Sequence, residues 1–216
     1  MPSEIRALFP LHAVLFPAAT MPLHLFEPRY LTLLERALDG DRQFGIVAIR
    51  LGMEAGGAAE LHEAGTLCAI RQVTRRRDDT VDIEVEGTRR FSIVERLPDE
   101  PHPQGLITPV DEEPEGPDAA ARVMPARAAL HRYLSVRARL SGSDLPAPPA
   151  SEDPVGASFA IAAALAIEVP EAQRLLAAPD AATRLAQCIE IARREALLLE
   201  HVGPPVGRPS TLASSN

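Results

Sequence analysis

The sequence predicts an α+β protein: a β-rich front half with one inserted helix, then an all-helical rear half. Three observations carry this. Residues 5–110 hold several short apolar or alternating runs of strand length and only one helical period. The acidic, proline-bearing stretch Asp111–Pro117 ends that pattern. Beyond it, three-to-four spacing and capping residues dominate up to about residue 202. The expected units are residues 1–116, a small antiparallel barrel or curled sheet, residues 117–202, a helical bundle, and residues 203–216, a disordered Pro/Gly/Ser tail.

Residues 5–17 read as extended chain interrupted by Pro10 and Pro17, and Met21–Phe26 as a second strand. Prolines at 10, 17, 22 and 28 confine these strands to edges or bulges, because proline donates nothing to a ladder. Pro28 suits the first turn of a helix carrying Tyr30, Leu31, Leu34, Ala37 and Leu38, with Asp39-Gly40 as its stop. Phe44–Ile49 is a strand buried on both faces, Leu51–Glu63 a mobile glycine-rich loop, and Thr66–Thr74 the next strand. Val81, Ile83 and Val85 alternate with Asp82, Glu84 and Glu86, as in a half-buried strand. Gly87-Thr88 is read as a turn, with Phe91 and Ile93 facing inward on the return and Gly105–Val110 adding a last strand.

In the rear half, a helix over about 118–140 with a kink or restart at Pro125 shows a stripe of Ala126, Ala129, Leu130, Tyr133, Leu134 and Leu140. Residues 141–150 are a linker by composition. Asp153-Pro154 caps and opens a helix to about Glu168, apolar nearly all round and so central. Pro170 starts a short helix, and Asp180 caps a long one carrying Leu185, Cys188, Ile189, Ala192, Ala196 and Leu199.

Composition excludes much chemistry. All 22 basic residues are arginine. Without an ε-amine, Schiff bases, pyridoxal-phosphate enzymes, phosphate-loop lysines and serine–lysine dyads are ruled out. The net charge of −8 is shared evenly between residues 1–110 and 111–216, which weighs against a backbone-driven nucleic-acid binder. The longest apolar stretch, Phe159–Ile167, is too short to span a bilayer. With no targeting segment in view and two distant cysteines, a cytoplasmic protein with reduced thiols and no membrane partner is expected.

Several patterns resemble motifs and fail on context. Gly203–Ser210 lacks the phosphate-loop lysine and places Pro209 in the cradle. Gly156-Ala-Ser158-Phe-Ala160 has the spacing of a nucleophile elbow, but Asp153-Pro154 announces a helix where the elbow needs a strand. The six histidines and two cysteines show no ligand spacing, so neither metal nor cofactor is expected. Cys68 and Cys188 lie on apolar stripes as buried, inert thiols. Arg75–Arg77 followed by Asp78-Asp79 reads as a solvated hairpin tip.

One pattern is specific. Leu8-Phe-Pro-Leu11, Val14-Leu-Phe-Pro17 and Met21–Tyr30 resemble the opening of the Lon amino-terminal (substrate-binding) domain family. Gly65-Thr66, Ala69-Ile70, Asp78-Asp79 and Val85–Phe91 are similar to its second block, and Asp180 with Arg184-Leu185 fits its helical extension. The resemblance implies a PUA-like antiparallel pseudo-barrel followed by a helical bundle. In Lon proteases this domain precedes ATPase and protease modules. Neither fits within this chain, so a stand-alone, non-enzymatic Lon-domain protein is expected.

Within the matching block, Leu25, Phe26, Glu27, Arg29 and Tyr30 form the candidate platform for unfolded or extended polypeptide, or for a protein partner. A structural role competes: Pro28 starts the helix, Glu27 favours its positive end and Tyr30 packs. Two other classes of function compete. Nucleic-acid binding, by analogy with PUA-like folds, rests on Arg75–Arg77 and Arg89-Arg90 alone. A hydrolase would have to use Ser158 or Cys68.

Overall fold

The structure, a computed structural model, describes residues 2–52, 59–112, 117–143, 145, 147, 148, 151 and 153–202. Six strands and five helices follow in the order β1 (Glu4–Leu11), β2 (Thr20–Leu25), α1 (Pro28–Asp39), β3 (Gln43–Leu51), β4 (Glu60–Arg75), β5 (Val81–Leu97), β6 (Gln104–Pro109), α2 (Pro117–Ser141), α3 (Pro154–Ala164), α4 (Val169–Leu176) and α5 (Ala181–Val202). The expected tail 203–216, with its phosphate-loop look-alike, and parts of the 51–63 loop and 141–150 linker lie outside the described residues.

The strands form one sheet in the order β2-β5-β4-β3-β1-β6, and the curl brings β6 back onto the second half of β5. It is a mixed sheet, which corrects the antiparallel expectation: Leu8–Leu11 of β1 run parallel to Gly45–Ala48 of β3. The cause is the path between them. β2 and α1 together form a crossover that carries the chain back to the starting end, as a parallel pair requires. Hydrophobic clusters lie on both faces of the curl. Phe9, Leu25, Tyr30, Leu33, Leu34 and Phe44 fill the space between sheet and α1. Leu8, Val47, Leu67, Phe91 and Ile107 fill its interior.

Gly87 is where expectation and structure part most clearly. No turn occurs there, and β5 runs unbroken for 17 residues. The glycine instead marks a close approach. A Cβ at this position would stand 2.3 Å from the Phe16 carbonyl oxygen. The backbone is tied on both sides, by Gly87 N–H to Ala19 O at 2.9 Å and Ala18 N–H to Gly87 O at 2.8 Å. Pairing with β4 shifts register here, as at a bulge. Gly87→Ala is therefore expected to cost about 1–3 kcal/mol by overpacking, read as a lower urea midpoint with unchanged slope. An unchanged midpoint would show that the Phe16 carbonyl yields freely.

The helical caps follow local chemistry. Asp153 accepts from the backbone N–H of Val155 and Gly156 at 3.3 and 2.8 Å, and Asp180 from that of Thr183 at 2.6 Å. α3 stops at Ala164, short of the expected Glu168, and α2 continues through Pro125. α1 ends at Gly40, yet that residue has φ −105°, and the left-handed residue is Arg42 at φ 59°. α2 and α5 lie side by side, joined by Arg132–Glu200 at 3.0 Å. The bundle core of Tyr133, Leu175, Leu185, Cys188 and Ala192 takes in Phe16 from the front half. Among the described residues, no helix is long and apolar enough to cross a membrane.

Candidate functional site

The Leu25–Tyr30 segment joins the edge strand β2 to α1. Along β2 the side chains alternate: Met21, Leu23 and Leu25 turn toward the core, while Thr20, Pro22 and His24 are exposed. Pro22 is tolerated because β2 is an edge and pairs only with β5 among the described strands. Pro28 occupies the first turn of α1, with Glu27 extended before it.

This geometry divides the five expected platform residues. Leu25 and Tyr30 are 2% and 4% exposed and belong to the core, so neither is part of an accessible surface. Tyr30 packs its ring 4.2 Å, centroid to centroid, from Phe9, with the Arg29 guanidinium 4.5 Å above it. The helical spacing that puts Tyr30 with Leu33, Leu34 and Ala37 explains this burial. Glu27 pairs with Arg29 at 3.0 Å, both side chains partly exposed, rather than capping the helix. Phe26 remains, 64% exposed at the end of the edge strand, with the His24 ring 6.0 Å away. His24 is tethered to Asp82 at 2.7 Å, and Asp82 also accepts from Arg76 Nε at 2.6 Å. The hydrogen bonds from Arg76 and then His24 hold the Asp82 carboxyl below the usual carboxylate range. The surface here is thus one aromatic side chain beside a fixed, charge-balanced strip.

A second arrangement was not foreseen. Arg90 of β5 and Arg184 of α5 are 4% and 0% exposed and meet where the sheet joins the bundle. Both bond the single carboxylate of Glu112. Arg90 donates to the carbonyls of Leu176 and Ala178 at 2.7 and 2.8 Å. Arg184 donates to Leu175 O at 3.0 Å and to Ser158 Oγ at 2.8 Å, and lies 3.8 Å over the Phe159 ring. Burial, followed by the neighbouring Arg90 charge, pushes the Arg184 pKa down to about 10. The sequence offered one signal for it: Arg184 sits four residues before Cys188, on that helix's buried stripe.

These partners also settle where the expected reactive residues lie. Ser158 stands inside α3, fully buried, donating to Val155 O at 2.7 Å and accepting from Arg184. Cys68 is buried against Phe44 O at 3.4 Å, and desolvation drives its pKa upward. Burial pushes the Cys188 thiol up to about 12. Neither thiol has the lowered pKa of a nucleophile. Arg90, counted among the nucleic-acid candidates, points into the junction, and Arg89 faces Asp111 at 3.3 Å. Among the described residues, no group of three or more His, Cys, Asp or Glu could hold a metal ion.

Residues 6–194 match the family model described as the ATP-dependent protease La (LON) substrate-binding domain. The chain belongs to this family. Among curated relatives, a Lon protease of Syntrophus aciditrophicus is 30% identical over 113 residues, half of this chain and 14% of that protein. Lon protease 2 of Desulfotalea psychrophila is 27% identical over 201 residues, 92% of this chain and 26% of that one. The Lon substrate-binding domain chain thus spans about a quarter or less of the length of these relatives, and the match covers neither their ATPase nor their protease portion. Two solved structures share the fold. A Lon N-terminal domain protein from Xanthomonas campestris aligns with TM-score 0.61 at 21% identity, covering 87% of this chain and 98% of its own. The N-terminal domain of Mycobacterium avium complex Lon protease aligns with TM-score 0.64 at 17% identity, covering 88% and 98%.

Proposed function

We propose that this Lon substrate-binding domain is a non-catalytic polypeptide-recognition module, with an extended segment of an unfolded chain lying along β2 and anchored on Phe26. The observation that carries this reading is the single exposed aromatic at the open edge of the sheet. An edge strand offers unpaired backbone groups to an added strand, which binds without regard to sequence. Phe26 supplies an apolar anchor at its end. Leu25 and Tyr30 contribute by holding that anchor on a rigid core, and the Glu27–Arg29 pair borders it with polar side chains.

The test is fluorescence anisotropy with a denatured casein-type polypeptide, compared with a stably folded protein of similar size. Denatured chain is expected to bind and folded protein not to. Phe26→Ser should leave the melting temperature essentially unchanged, as for exposed positions. It should weaken binding by about 2 kcal/mol, roughly 30-fold, as for an aromatic hot spot. Equal and negligible affinity for both ligands would overturn the proposal.

A further inference from the structure

The outer face of β2 and β5 carries one charged row beside the open edge. Thr20, Pro22 and His24 stand opposite Glu86, Glu84 and Asp82 of β5. Two of these three carboxylates are compensated. Glu86 accepts from Arg71 Nε at 2.7 Å, and Asp82 belongs to the balanced strip with Arg76 and His24. Glu84, between them, is exposed, and its carboxylate has neither an ion pair nor a hydrogen bond among the described residues. Its cross-strand neighbours, Pro22 on β2 and Gln72 on β4, carry no charge. Three carboxylates against two arginines leave one negative charge over while His24 is neutral, and it sits at the middle of the row.

Pro22 sets the phase of the edge. It has no N–H, so its backbone turns away from β5, and along an antiparallel ladder that direction alternates. Thr20 and His24 therefore turn their N–H and C=O groups outward, together with the Pro22 carbonyl. A strand added there lies about 4.8 Å beyond β2, which puts its residue facing Pro22 about 10 Å from Glu84, backbone to backbone. An arginine or lysine at that residue spans the gap, its stem lying over the short proline ring and its charged head reaching the carboxylate. Glutamine or an apolar side chain brings no such charge. Four residues on from Pro22, Phe26 stands with its ring 6.0 Å from that of His24, on the same face.

We propose that the β2 edge selects extended segments with a basic residue four positions from an apolar one, the basic side chain pairing with Glu84 and the apolar one packing on Phe26. The inference rests on the polypeptide-binding reading of this edge and names the class of segment it takes. Either direction of the added strand satisfies the spacing. The probes are fluorescein-labelled nonapeptides, GTKTVTFTG and the reversed GTFTVTKTG, each also with glutamine or glutamate in place of lysine. A spacing control, GKTTVTFTG, puts the lysine on the opposite face. The better-binding lysine peptide is expected to bind about 3-fold tighter than its glutamine counterpart, as for one exposed ion pair, and the glutamate peptide more weakly than both. The spacing control should bind like the glutamine peptide, and salt at about 0.5 M should remove the difference. Glu84→Gln should abolish the lysine preference and Glu84→Arg should turn it toward glutamate. Both variants should melt as the parent does, since the position is exposed. Equal binding of lysine and glutamine peptides, a spacing control as tight as the lysine peptide, an unchanged preference in Glu84→Gln, or no binding of any peptide would overturn the inference. Denatured casein titrated alongside reports on the polypeptide-binding reading separately. Casein binding with no lysine preference would sink the charge selection alone, and no casein binding would sink both.

Discussion

Arg184→Ala is expected to destabilise the protein by about 3–5 kcal/mol, the cost of breaking a buried ion pair from one side. The guanidinium bonds Leu175 O, Ala178 O, Ser158 Oγ and the Glu112 carboxylate, and covers the Phe159 ring. Alanine strands those acceptors in a space where water does not replace the donor, and it leaves a cavity. Ordinary domain stability is about 5–15 kcal/mol, so the variant sits near the threshold for folding. Ser158→Ala removes one contact of the same group and should cost only about 1 kcal/mol. The two can be ranked by urea unfolding followed by circular dichroism. A loss under 1 kcal/mol for Arg184→Ala would mean that the junction is not held by this residue.

Tyr30→Ala is expected to cost about 3–5 kcal/mol, because the phenol is 4% exposed among Phe9, Leu33 and Leu34 and the site cannot collapse around a sheet on one side. Soluble yield and melting temperature should fall together. The contrast with Phe26→Ser, four positions earlier, separates scaffold from surface within one short segment. The first should lose stability and the second should lose only binding. A Tyr30→Ala protein that melts as the parent does would place Tyr30 on the surface instead.

What was legible in the sequence was local. Pro28, Asp153 and Asp180 mark helix starts through backbone groups within three residues of themselves, and all three do so in the structure. The Val81–Glu86 alternation reads correctly because a strand's two faces differ in solvent. Gly87 was misread because a missing Cβ serves a turn and a close approach equally well. Only the Phe16 carbonyl, 71 positions away, distinguishes them. The parallel β1–β3 pair was hidden for a related reason: pairing direction belongs to the path of the crossover, not to either strand's residues. Of the candidate segment, helical spacing already favours a buried Tyr30 beside Leu31 and Leu34, whereas nothing in the sequence sets Phe26 apart as exposed. The buried arginines were missed because charge normally signals solvent, and their partners are mostly main-chain carbonyls that leave no mark in a sequence.

The pairing of β1 with β6 also bears on how the chain is made. Glu4–Ala7 find their partners in Gln104–Ile107, a hundred residues later, so β1 leaves a ribosome well before β6 and waits for it. Until then its edge stays open, and contacts of such long range slow folding and prolong exposure to aggregation. Arg90 waits longer still, for the carbonyls of Leu176 and Ala178. A nascent chain halted between these points would hold a finished sheet with an unsatisfied cation at its rim. Ribosome-stalled lengths ending near residue 112 and near residue 200 should therefore differ sharply in protease resistance.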